Sequence, residues 1–469
     1  MRIVRIVAVM IALISCSFAQ KEVPLPKDLP AYGPEKPLQA PQVQKEKLGN
    51  GLTVWLVSEP GFPKVSMAIA ARGGLAADPA DRPGISELLA NTINQGTTSK
   101  TAKQIAEQIQ SAGGDLDIGS TKDAVIVSTS VLSARANTAL ALLADLAQNA
   151  TFPDNEVTLA KRNLSDSLRQ RESQPSFLAS RAMARALFGD DPYHVTAPTQ
   201  ESIAASTPAD LKKIYAQRFR PDQAIFIAVG DFENGAMMSR VQSELGGWKS
   251  QNGTPVAAAT IRTTTPKPAV FLVERPGSVQ TTLEFGTFGP MRGDPDYEAA
   301  RVANAIYGGT FGSRLTTNIR EDKGYTYSPF SNLSTYRSAG VLFTRADVRN
   351  EVTGPSFNEI SYELNRMATT SPTKEEMDKA RRYLVGIESI RLQSRDSVAG
   401  ELASLWVDGL PPEEIGIYGR KVASTTPEQV DAAARKYFPA SRSAVVAVGE
   451  EKVVRDALAP FGLPIEVVR

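Results

Sequence analysis

Trp55-Leu56-Val57-Ser58-Glu59-Pro60-Gly61 returns as Phe271-Leu272-Val273-Glu274-Arg275-Pro276-Gly277, 216 residues further on (271 − 55). Thr207-Pro208 and Ala228-Val229-Gly230 return as Thr426-Pro427 and Ala447-Val448-Gly449, both 219 residues on (426 − 207 and 447 − 228). Chance likeness between short apolar strings does not hold a common register over so long a span. The period is far too long for a solenoid. It reads as two homologous domains, 44–262 and 263–469, with a seam in the Thr- and Pro-rich stretch Thr263 to Pro268.

Working outward from the first copy, Asn50-Gly51 separates two runs and predicts a hairpin. Val65 to Ala71 is strand-like, and Ile85, Leu88, Leu89, Thr92 and Ile93 fall at helical spacing. A second helix through Ile105 and Ile109 stops at Gly113-Gly114, as a glycine terminus does. Val125 to Val131 is again strand-like. Strands alternate with helices throughout, so the class is α/β or α+β.

The chain has 469 residues, 42% hydrophobic and 22% charged, so its bulk is globular. Lys plus Arg number 52 against 51 Asp plus Glu, which favours neither a nucleic-acid backbone nor an anionic surface as partner. The N-terminus departs from this pattern. Arg2 and Arg5 precede the apolar run Ile6 to Ile14, and small residues follow up to Ala19. Residues 1–19 read as a secretory signal, too short to span a membrane stably. Cys16, the sole cysteine, sits in Leu13-Ile14-Ser15-Cys16, which looks like a lipoprotein cleavage box. Cutting before Cys16 leaves a lipidated terminus, and cutting after Ala19 leaves a soluble, cysteine-free chain. Either way no internal disulfide forms. Residues 20–43 are proline-rich and read as an extended tether.

Several further stretches occur in a fixed order: Leu48 to Leu52, Ala112-Gly113-Gly114-Asp115-Leu116, Phe219-Arg220-Pro221-Asp222 and Tyr307-Gly308-Gly309-Thr310-Phe311-Gly312-Ser313-Arg314-Leu315. With the duplication, this set resembles the pitrilysin-type (insulinase-like) zinc peptidase family. The resemblance implies two similar α+β domains enclosing a cavity. It also implies an inverted zinc motif, H-x-x-E-H, on a helix of the first domain. Two histidines at i and i+4 share a helical face and hold the metal, while the glutamate activates its water.

Aligned on Gly84 and Gly96-Thr97, those three positions hold Glu87, Ala90 and Asn91. The family's downstream glutamate ligand falls on Leu168, with Asp166 the nearest acid. Every member of the constellation is missing. The only histidine, His194, lies in the turn-like Asp190-Asp191-Pro192-Tyr193-His194 and reads as a surface or cap residue. No Asp-rich loop suggests a calcium site. No metal or cofactor is therefore expected in this chain. Glu87 and Asn91 read as a polar helix face towards a cavity or solvent.

In the second domain, Leu315 and Ile319 lie on a short amphipathic helix ending near Gly324. Arg320-Glu321-Asp322-Lys323-Gly324-Tyr325-Thr326-Tyr327 looks like the family's R-x-x-x-G-x-x-Y segment. The resemblance implies that Arg320 grips a substrate carbonyl and Tyr327 donates to the oxyanion. Tyr325, read as strand, shares a face with Tyr327. The glycines Gly308, Gly309 and Gly312 read as allowing a tight turn before the helix.

The reading that follows is a non-catalytic subunit, inactive alone. A homologous H-x-x-E-H partner brings the zinc, and unfolded peptides are the substrate. The location is periplasmic or envelope-associated, with membrane attachment if Cys16 is lipidated. The alternative is an envelope scaffold or peptide-binding protein with no role in proteolysis.

Overall fold

Two six-stranded sheets carry the duplication. The first comprises β1 (Gln44–Lys47), β2 (Thr53–Ser58), β3 (Lys64–Arg72), β4 (Asp115–Ser120), β5 (Ala124–Leu132) and β6 (Ala224–Gly230), in the order β1-β2-β6-β3-β5-β4. The second comprises β7 (Val270–Glu274), β8 (Gln280–Gly289), β9 (Phe330–Tyr336), β10 (Ala339–Arg349), β11 (Ala444–Gly449) and β12 (Ile465–Val468), in the order β12-β7-β11-β8-β10-β9. The computed structural model describes residues 40–250, 254–266 and 268–468. The leader 1–19 with Cys16, and residues 20–39 of the tether, lie outside the described residues.

The sequence repeat survives as strand register. Trp55 of β2 lies opposite Ile227 of the parallel β6, and Phe271 of β7 lies opposite Val446 of β11. The two pairs are related by the same shifts, 216 and 219, that relate the sequence repeats. Only the outermost strands differ: β1 precedes β2 and pairs with it antiparallel, whereas β12 comes from the chain's end and pairs with β7 parallel. The β1–β2 link is not the two-residue hairpin its Asn-Gly suggests. It runs over residues 48–52, and the Asn50 amide donates to the carbonyls of Leu245 and Trp248 at 2.7 and 3.0 Å.

The first half holds helices α1 (Ile85–Thr92), α2 (Ala102–Ser111), α3 (Ala136–Asn149), α4 (Asp154–Glu172), α5 (Pro175–Phe188), α6 (Pro208–Arg218) and α7 (Asn234–Leu245). The second holds α8 (Tyr297–Tyr307), α9 (Thr353–Thr369), α10 (Lys374–Arg391), α11 (Arg395–Asp408), α12 (Glu414–Ser424), α13 (Pro427–Tyr437) and α14 (Glu451–Leu458). The repeated Thr-Pro pairs start equivalent helices. Thr207 and Thr426 each close a capping box, with Pro208 and Pro427 in the first turn, where a missing N–H costs nothing.

Each sheet is buried on both faces. Val54, Leu56, Met67, Ile69, Phe226 and Ala228 point into the first half's own core. Trp55, Val57, Ile225, Ile227 and Val229, one residue out of phase, point the other way. What covers this second face is α11, through Val398, Leu402, Leu405 and Trp406, a helix that belongs to the second half. The exchange is reciprocal: Val273, Val446 and Val448 of the second sheet are covered by Ala179, Met183 and Leu187 of α5. The two helices are equivalent, each 14 residues long and 220 apart (395 − 175). Arg72 of β3 fastens the crossing. Its guanidinium lies 4.1 Å from the Trp406 ring and donates to the Trp406 carbonyl at 2.7 Å.

Neither half can therefore bury its sheet alone. We expect residues 44–262 made without the second half to expose the Trp55–Ile227 face and bind a hydrophobic dye, and co-expression with 263–469 to restore a dye-silent particle. Within the whole chain, Leu402→Ala should cost about 2–5 kcal/mol, read by urea unfolding.

The same interface holds a titrating group. Glu284 of β8 is buried beside Arg345 and within 3.5 Å of the Ser180 hydroxyl of α5. Burial pushes its carboxyl up from 4.5 to about 7, although Arg345 pulls the other way. A carboxyl raised on folding stabilises most below its unfolded value and loses that contribution as pH rises through about 7. The melting temperature should therefore fall between pH 5 and pH 8, and Glu284→Gln should flatten that slope.

Candidate functional site

Helix α1 is set by its N-terminus. Gly84, at φ +79°, starts the helix where a Cβ would meet Pro198 at 2.2 Å, so only glycine fits. In the second position of the helix, Ser86 donates its N–H to Asp78 at 3.3 Å. Asp78 in turn pairs with Arg218 at the end of α6, at 2.6 Å, both side chains essentially without solvent. Ile85, Leu88 and Leu89 then pack into the core.

On this anchored helix stand the three residues aligned with the zinc motif. Glu87 is half-buried and turns not to open solvent but to Arg171 of α4, 2.9 Å away. Ala90 is buried in the core, and Asn91 is exposed. Leu168 is fully buried, while Asp166 points along α4 to Arg169. This set does not fit zinc. It offers one carboxylate already held by a guanidinium, one amide, a methyl and an isobutyl group, and no imidazole. His194 lies in the turn Pro192–His194, half-buried, with Nδ1 2.9 Å from the Asp191 carbonyl oxygen. Among the described residues no three His, Cys, Asp or Glu side chains are grouped to hold a metal ion.

The second-half segment is built differently from the sequence expectation. One α-turn, Arg314–Thr316, widens into a π-helix, Thr317–Asp322. Leu315 and Ile319 are buried beneath it, and Asn318 donates to Glu363 at 2.8 Å. The wide turn leaves the Arg320 side chain partly exposed. Its guanidinium lies 4.3 Å from the Phe311 ring centre and 4.8 Å from that of Tyr327. Glu321 approaches its Nε at 3.2 Å. Both rings are exposed, Phe311 at 69% and Tyr327 at 79%. The result is a solvent-facing sandwich of aromatic, cation and aromatic.

Tyr325 and Tyr327 do not share a strand face. Residues 325–329 are irregular and β9 starts only at Phe330, because Pro329 has no N–H for a ladder. Tyr325 is half-buried and donates its N–H to Ile319, and Thr326 ties the segment to the Asp347 carbonyl at 2.7 Å. Tyr327 is thus the tyrosine that meets Arg320. Two of the three glycines before the helix serve close packing: a Cβ at Gly308 would meet Ser331 at 2.9 Å, and one at Gly309 would meet Asn304 at 2.8 Å, whereas Gly312 has open space around it. Phe311 was not singled out by the sequence reading. Its signal was a large aromatic residue isolated between Thr310 and Gly312 in a loop. Arg320 and Tyr327 make their contacts within the second half, and Glu87 makes its own within the first.

The comparisons with known proteins agree with this geometry. The model of the insulinase family (peptidase family M16) matches residues 53–197, and that of the peptidase M16 inactive domain matches residues 206–384. An uncharacterized zinc protease of Bacillus subtilis is 24% identical over 349 residues, 74% of this chain and 84% of that one. One of Mycobacterium tuberculosis is 24% identical over 410 residues, 87% and 93% of the two chains. Among solved structures, a peptidase M16 inactive domain from Pseudomonas fluorescens superposes with a TM-score of 0.81 at 26% identity, over 87% of this chain and 98% of that one. A protease from Helicobacter pylori shares the fold, with a TM-score of 0.80 at 17% identity, over 88% of this chain and all of that one. With two sheets in matching register, a motif helix stripped of its histidines and both family models on the chain, this protein belongs to the insulinase-type (pitrilysin) peptidase family as a member without the family's zinc-binding residues.

Proposed function

We propose that this chain is the non-catalytic subunit of a two-chain zinc peptidase, with Arg320 and Tyr327 acting on peptide bound at a partner's metal. The observation that carries the reading is an asymmetry. The metal position of the first half is taken over by the Glu87–Arg171 pair, while the Phe311–Arg320–Tyr327 sandwich stands exposed in the second. Exposed side chains bury little apolar area, so this sandwich adds little to folding. It pre-orients a guanidinium whose planar fork suits a peptide carbonyl or carboxylate. The Tyr327 phenol beside it is a donor for an oxyanion developing on the scissile carbonyl. A homologous chain with an intact H-x-x-E-H helix would supply the zinc. The leader 1–19 would deliver this chain to the periplasm or envelope, anchored there if Cys16 is lipidated.

The test compares peptidase activity and bound zinc for this chain, for an H-x-x-E-H chain of the same organism, and for the mixture. Activity only in the mixture is expected. Arg320→Ala and Tyr327→Phe should each lower kcat of the mixture by about 10²-fold, the usual effect of losing one oxyanion donor. The melting temperature should not change. Unchanged kcat in both variants refutes the assigned roles. No gain on mixing leaves a scaffold or peptide-binding protein as the function.

A further inference from the structure

The helix exchange is unequal in one respect. On the first sheet, α11 and α12 pack down through Leu402, Trp406 and Ile415, and β2 contributes Trp55, all four buried in one apolar cluster. Their equivalents on the second sheet are Ala182, Ala186 and Val195, each 220 residues earlier (402 − 182, 406 − 186 and 415 − 195), and Phe271, 216 later (271 − 55). Every one of these exchanges puts a smaller side chain in place of a larger one. The first crossing is sealed, and the second is not. Between α5, the segment 194–199 and β7 lies a cavity of about 360 Å³, and all four smaller residues line it.

Most of the remaining wall is apolar too, through Leu178, Ala197, Val273 and Val468. Protein interiors leave few voids larger than a water molecule, because an unfilled apolar space forfeits contacts along its whole lining. The size lies within the range of small-molecule sites, about 300–1,000 Å³.

The polar groups of the cavity come from two elements. Arg181 and Arg185 of α5, four apart and so on one helix face, both line it. Arg181 gives Nη1 to Glu172 at 2.7 Å. Arg185 gives Nη1 to the Gly189 carbonyl at 2.8 Å and pairs with Asp190 at 2.7 Å. A guanidinium carries five N–H donors, so both keep donors to offer. From the facing segment, His194 donates from Nδ1 to the Asp191 carbonyl at 2.9 Å, which leaves Nε2 without a partner among the described residues. Two residues on, the Thr196 hydroxyl is buried with no hydrogen-bond partner. Buried polar atoms in native proteins are almost always paired.

From this arrangement we infer that the cavity between α5 and β7 binds a single-chain fatty acid, its alkyl chain against the apolar wall and its carboxylate at Arg181, Arg185 and His194. Charge-assisted hydrogen bonds from a guanidinium favour an acid over an alcohol or an amine of the same length. Each guanidinium already faces one carboxylate, so the excess positive charge is small and suits a monoanion rather than a doubly charged phosphate. None of these residues belongs to the Arg320–Tyr327 sandwich, so the site stands or falls independently of the proposed role in proteolysis.

The experiment is a fluorescence titration of the full chain with dansyl-labelled undecanoic acid. Competition follows with dodecanoate, dodecanol, dodecylamine and dodecyl phosphate, each below its micelle concentration. The probe should brighten saturably, and dodecanoate should displace it about tenfold better than the alcohol, the worth of a hydrogen bond to a charged group. The amine and the phosphate should also compete less well than dodecanoate. Ala182→Leu gives α5 the residue that α11 has, and should weaken binding about tenfold or more by filling the space, with the melting temperature unchanged or raised. If that variant does not fold, Phe271→Trp, again the residue of the other copy, decides. Arg181→Gln combined with Arg185→Gln should remove the advantage of the acid over the alcohol. Absence of saturable binding overturns the inference, as do equal displacement by acid and alcohol, stronger displacement by amine or phosphate, a folded cavity-filling variant that binds undiminished, or a double arginine variant that keeps the preference.

Discussion

The exchange of α5 and α11 is the constraint on which the rest of the structure depends. A mixed sheet whose strands are apolar on both faces must be covered twice. In each half one face is covered by local helices and the other by a single helix sent across from the opposite half. Because α5 and α11 are equivalent in the repeat, one solution serves both sheets. The halves are consequently locked in a fixed relation, and polar links follow the helices across. Arg345 of β10 reaches the Ser180 hydroxyl at 3.3 Å, and Arg395 of α11 reaches the Glu59 carbonyl at 2.9 Å.

The motif helix keeps its place without its motif. Zinc held by two histidines and a glutamate contributes to local order as well as to chemistry. Its loss leaves α1 to be held by other means. The partly exposed Glu87–Arg171 pair is worth about 1 kcal/mol at most. The burial of Ile85, Leu88 and Leu89 does far more, and the sealed Asp78–Arg218–Ser86 cluster fixes where the helix starts. The helix is placed by its buried face and its N-terminus, so its exposed face was free to change.

The duplication and its register were legible in the sequence because strand pairing reads the same residues that repeat. Trp55 and Phe271 recur in equivalent ladder positions, and Thr207 and Thr426 recur as caps. The absence of the H-x-x-E-H motif was equally plain, since a single histidine cannot make it. The helix exchange was not legible. The apolar residues of α5 and α11 announce burial but not which sheet they bury against, and that choice is tertiary. Nor was the path of residues 325–329. Alternating tyrosines suggest a strand, but Pro329 withholds an N–H and residues 325–329 stay irregular, so Tyr327 lies against Arg320 while Tyr325 stays half-buried beside them. The Glu87–Arg171 contact joins positions 84 residues apart, beyond any local pattern.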